Sequence, residues 1–169
     1  MAKPLPGDYP SYFNGYIQKV ELDNVQDLVN TLSQALTYYF LNLPDDKAEY
    51  RYAEDKWTMK DMLQHIIDTE RIMQYRLLRI SRNDKTPLPG FDENEYAVSA
   101  DANKRSFIEL KEEFKALRKS TDLLLKSLTE SQLQQTGNAS NHPITANAIA
   151  FIIFGHLIHH KHIIEERYL

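Results

Sequence analysis

Apolar residues recur along most of the chain at steps of three and four, the spacing that gathers them on one face of an α-helix. Four segments carry this pattern. The first, about Val25 to Leu41, aligns Val25, Leu28, Val29, Leu32, Leu36 and Tyr39; Pro44 and the polar DDKAE stretch then separate it from the next. The second begins at Thr58, where Thr58-x-x-Asp61 resembles a capping box with Asp in place of Glu, and continues to about Ile80. The third, about Ala102 to Leu128, aligns Phe107, Leu110, Phe114, Leu117, Thr121, Leu124 and Leu128. The fourth starts near Thr145, after the turn-rich TGNASNHP, and runs to about Tyr168. Nowhere do two alternating strand-like runs meet at an Asn-Gly or Asp-Gly turn. Four amphipathic helices of roughly 17–27 residues predict an all-α helical bundle. The connection TPLPGFDENEYAVSA is long enough to cross the bundle end and has room for a short helix.

Length and composition narrow the picture without deciding it. The 169 residues suit a single domain, 1–169, with a substantial core. A formal charge of -4, with Lys and Arg scattered, lacks the electrostatic footprint of a nucleic-acid partner. The absence of cysteine removes disulfides, Fe–S clusters, thiolate zinc sites and a Cys nucleophile together. No apolar run reaches the roughly 18 residues of a membrane span, and the start lacks the order of a secretory signal. A cytoplasmic protein with no membrane partner is expected.

Histidine carries the chemical signal. Four of the six lie in the fourth segment, as GHLIHHKH. At about 100° per residue, His156 and His160 fall about 40° apart and share the face of Ile149, Ile152, Ile153, Ile163 and Ile164. His159 lies at the edge of that stripe, and His162 points nearly the opposite way. The i, i+4 spacing lets two imidazoles on adjacent turns reach one metal ion. It is equally compatible with two core histidines satisfied by neighbours. His65, flanking the apolar face of the second segment, is the candidate third ligand; read alone, it suits a surface role as well. Three imidazoles with an open position are the donor set of a catalytic rather than a structural zinc site, and imidazole also suits Ni, Fe or Cu. Other metal patterns fail. His156-x-x-His159-His160 has no Glu after its first histidine, and no Glu-x-x-His occurs, which argues against a di-iron bundle. Non-covalent haem stays conceivable but matches two histidines on one helix poorly.

The stretch KWTMKDMLQHIIDTERIMQYR, Lys56 to Arg76, resembles the second-helix signature of the DinB/YfiT-like superfamily. That signature is a Trp opening the helix, a His eight residues later, then an acidic residue and an Arg. AFIIFGHLIHHKHIIEERYL resembles the last-helix His-x-x-x-His signature of the same superfamily, and TPLPGFDENEY is similar to the loop of one of its branches. The resemblance runs from about Val25 to Leu169. It implies an up-down-down-up four-helix bundle, often a homodimer, with one divalent metal ion, Zn or Ni, held by His65, His156 and His160.

The resemblance further implies a metal-dependent enzyme acting on a small-molecule substrate. The leading expectation is a thiol-dependent S-transferase that uses a low-molecular-weight thiol on a small electrophile. The alternatives are a metal-dependent hydrolase and a non-catalytic metal-binding stress-response protein. No dedicated general base stands out. Asp68 and Glu70 are placed to orient an imidazole or move a proton, or to form a solvated helix face. Trp57, Phe91 and Tyr96 are candidates for the site mouth, or for packing. His142 reads as a turn residue.

Overall fold

The computed structural model describes all residues, 1–169. A 3-10 turn at Ser11–Phe13 leads into helix α1 (Asn14–Gln18). The first long rod follows as α2 (Val25–Asp27), a π-helical turn at Leu28–Leu32, and α3 (Ser33–Leu41). Its entry is fixed by Asn24, whose side chain accepts from the Asp27 N–H. Helix α4 (Met59–Ser81) opens at Thr58 as its sequence predicts. The Thr58 hydroxyl accepts from the Asp61 N–H at 3.1 Å, and the Asp61 carboxylate accepts from the Thr58 N–H at 2.9 Å. Asp therefore fills the role usually held by Glu.

The connection beyond α4 contains α5 (Glu93–Ala100), capped by Asp92. The third long helix, α6 (Phe107–Ser127), starts later than the pattern suggested. Ala102–Lys104 form a separate 3-10 turn, and a second capping box, Ser106 with Glu109, sets the true start. After the short α7 (Glu130–Leu133), the segment read as turn folds into a hairpin of β1 (Thr136–Ala139) and β2 (His142–Thr145). Its two-residue turn is Ser140-Asn141, with φ of 54° and 66°. Hairpin turns that need positive φ at both positions usually announce themselves with Gly, which this turn does without. Helix α8 (Ala146–Arg167) follows, capped by Thr145.

Helix α4 packs against α6 and α8, and the α2–α3 rod packs against the same two. The rod and α4 are thus diagonal, and the bundle is the up-down-down-up type that the resemblance implied. Because α4 and α6 are neighbours running in one direction, the chain must cross the bundle end between them, and residues 82–106 do so. Helix α8 is central. Every residue from Ile144 to Leu157 is buried, because α1 covers the side that the bundle leaves open. That cover depends on Gly155, where an added Cβ would lie 2.2 Å from the Tyr16 carbonyl oxygen. No helix is long and apolar enough to cross a membrane.

Candidate metal centre

Two of the four rods bring the three sequence-predicted histidines to one point. His65 projects from the second turn of α4, while His156 and His160 sit one turn apart on α8. The Nε2 atoms form a nearly equilateral triangle: 3.0 Å from His65 to His156, 3.1 Å from His65 to His160, and 2.9 Å from His156 to His160. His156 and His160 are only 5% and 6% exposed, and His65 is half-buried. Burial is the main reason that all three hold their protons weakly. His65 is pushed down to about 4 and His160 to about 2, each lowered further by neighbouring imidazoles. His156 lies well below its ordinary value for the same reasons. At neutral pH the triad is therefore uncharged.

Three neutral imidazoles in this arrangement have a hydrogen-bonding problem. Each Nε2 carries either a proton or a lone pair, and hydrogen bonds prefer a nearly straight N–H···N. A triangle of nitrogens cannot give all three a straight partner. One cation shared by three lone pairs satisfies them together, and a tetrahedral ion with Zn–N of about 2.0–2.1 Å would set nitrogens about 3.3 Å apart. The observed edges are slightly shorter, so the donor set fits a divalent ion after a small outward relaxation. The ring of His160 is held by packing, with the His159 ring at 5.0 Å, since its buried Nδ1 has no hydrogen-bond partner.

Aromatic rings frame the triad. Trp57 lies 4.8 Å from His65, and the Tyr168 hydroxyl holds the Trp57 carbonyl at 2.8 Å. Tyr16 of α1 packs edge-on against His156 at 5.5 Å. A cavity of about 490 Å³ opens directly over the three nitrogens. Its walls come from the N-terminal segment (Tyr12, Phe13, Tyr16), from α4 (Thr69, Met73, Arg76), from the crossing connection (Gly90, Phe91, Glu93) and from the hairpin turn (Ser140).

The secondary expectations divide. Glu70 does not face the triad: it is buried toward α6 and pairs with Arg118 at 2.8 Å. Asp68 accepts from Gln64 Nε2 at 2.9 Å and does not line the cavity. Trp57 and Phe91 do line it, whereas Tyr96 stands behind Phe91 at 5.2 Å, outside the wall. His142 is exposed on β2 against Tyr12, and His159 packs on Tyr16, so neither joins the triad. Arg76, Ser140, Tyr12 and Tyr16 were not singled out as site residues in the sequence. Only Arg76 gave a signal, as a charge on the apolar side of α4.

The model of the DinB superfamily matches residues 28–164. The chain belongs to the DinB superfamily. Among relatives of this DinB-superfamily chain is a protein of Oceanobacillus iheyensis named "Putative metal-dependent hydrolase OB0413". It is 26% identical over 132 residues, covering 72% of this chain and 73% of the relative. A solved structure, YfiT from Bacillus subtilis, is described as a probable metal-dependent hydrolase with an unusual four-helix bundle topology. It superposes with a TM-score of 0.70 over 97% of this chain and 90% of its own, at 19% identity. At that identity the likeness speaks for the fold.

Proposed function

We propose that this DinB-superfamily chain is a metal-dependent hydrolase of a small molecule, its ion held by His65, His156 and His160. The observation that carries the reading is the convergence of three neutral, buried Nε2 atoms under an open cavity. The names of the two similar proteins also favour hydrolysis, and neither speaks of a thiol. A divalent ion in such a set supplies Lewis-acid polarisation and lowers the pKa of water. The chain supplies the rest. Trp57, Tyr16 and Ile152 line the cavity beside the triad with largely apolar surface, which strengthens electrostatic contacts there. Thr69 and Met73 line the same cavity from α4. Glu93 is the one carboxylate on the wall, and so the candidate for passing a proton to the leaving atom.

The test combines metal analysis with two assays on the loaded protein: hydrolysis of ester and amide panels, and transfer of low-molecular-weight thiols to an electrophile. The expected result is one divalent ion per chain, lost in His156→Ala, with metal-dependent hydrolysis. Thiol transfer without hydrolysis would replace this reading with the S-transferase. An ion with neither activity would leave a metal-binding protein. Assembly as a homodimer in the cytoplasm, with no nucleic-acid partner, belongs to the same proposal and is read by sedimentation and localisation.

A further inference from the structure

Two arginines are carried into the interior, and the fold treats them in opposite ways. Arg118, 1% exposed, has Glu70 at 2.8 Å and Asp122 at 2.6 Å, so its charge is balanced within the bundle. Arg76, 4% exposed, has no carboxylate within 4.0 Å. Its Nη2 donates to the Pro89 carbonyl at 2.7 Å and to the Ser140 hydroxyl at 3.0 Å. Its Nη1 meets only the Met73 sulfur, at 3.9 Å, and the Phe91 ring lies 5.9 Å from the guanidinium carbon. Every partner is neutral. An arginine stays protonated in a protein, and a buried charge without a counter-charge costs several kcal/mol.

The surroundings keep the guanidinium where it is. The left-handed backbone at Ser140 and Asn141 turns the Ser140 hydroxyl toward Arg76. Gly90 lets the 88–91 loop pass that hydroxyl, since an added Cβ would stand 3.3 Å from it. The loop is tied down by two backbone bonds of 2.9 Å, Leu88 N–H to the Asn138 carbonyl and Ser140 N–H to the Leu88 carbonyl. Arg76 lines the same cavity as the triad, and no lysine or second arginine lines it. A single planar cation among aromatic walls suits one carboxylate on an apolar body better than a phosphate dianion. His65 and Arg76 are eleven positions apart on α4, about 16 Å of helix rise, so a ligand that meets both is elongated.

We infer that the cavity takes an elongated monocarboxylate, its carboxylate paired with Arg76 and its scissile bond placed toward the triad. The carboxylate half stands on Arg76 alone; the scissile-bond half rests on the hydrolase reading. Calorimetric titration with phenylalkanoates, from phenylacetate to phenylhexanoate, each beside its uncharged amide, tests it in metal-free and zinc-loaded protein. The expected result is an acid bound about ten-fold more tightly than its amide in both states, the difference of a charge-assisted hydrogen bond. Arg76→Gln should erase the preference, and Arg76→Lys should keep part of it. His156→Ala, which leaves Arg76 in place, should retain it even where metal is lost, separating this inference from the hydrolase reading. Three results overturn it: equal affinity for acid and amide across the series in the parent, or no binding of either; a preference unchanged in Arg76→Gln; or a preference appearing only after zinc is loaded.

Discussion

The three histidines are unlike ordinary histidines because their neutral form is the one the fold accommodates. With folded values of about 4 for His65 and about 2 for His160 against an ordinary 6.5, the unfolded chain takes up protons first as pH falls. The stability they contribute is therefore intact above about pH 6.5 and is lost as pH drops toward the folded values, by at most about 1.4 kcal/mol per pH unit for each histidine. Urea unfolding of metal-free protein at pH 7.5 and pH 5 is expected to show this loss, and His65→Gln to reduce it. Elsewhere, Glu70→Ala should cost about 1.5–3 kcal/mol by removing the buried partner of Arg118, which keeps Asp122 at 2.6 Å, measurable in the same way. Sequence periodicity placed His156 and His160 together because spacing on one helix is a local property. His65 needed the family resemblance, since nothing local says which turn of α4 faces α8. Arg76 showed only as a charge on the apolar side of α4, because its meaning lies in the missing carboxylate, and a sequence cannot show an absent neighbour.

Among the elements, those with local signals were the legible ones. Thr58 with Asp61 and Thr145 each mark a helix start by side-chain chemistry that acts within four residues. The start of α6 was misplaced because the apolar stripe continues through Ala102, whereas the Ser106–Glu109 box decides the boundary. The hairpin was missed because its strands are four residues long and its turn lacks Gly. Helix α1 rests on a fit between distant segments. Gly155→Ala should gain helix propensity of about 1 kcal/mol, yet place a methyl against the backbone of α1. The net expectation is a loss of about 1–3 kcal/mol in urea unfolding, with Tyr16 displaced from the cavity. Gly137→Ala should also destabilise, because its added Cβ would stand 2.6 Å from Cγ1 of the buried, β-branched Ile80.

At the scale of the whole molecule, an ion that bridges α4 and α8 stabilises the folded state by mass action, provided the unfolded chain binds it weakly. At a hundred-fold excess over Kd the gain is about 2.7 kcal/mol, which for a chain of this length raises Tm by roughly 5–11 °C. Differential scanning fluorimetry with Zn or Ni should show the rise, chelator should reverse it, and His156→Ala should abolish it. Part of the cavity wall has a different origin from the triad. The histidines ride on the rods, whereas Tyr12, Phe91 and Ser140 belong to three connections far apart in the chain. These three side chains can change without touching a histidine, whereas Arg76 shares α4 with His65. Exchanging Tyr12 or Phe91 should alter which molecules enter while leaving ion stoichiometry untouched, so the entrance can be retuned from the connections while the two helices keep the histidines and Arg76 in register.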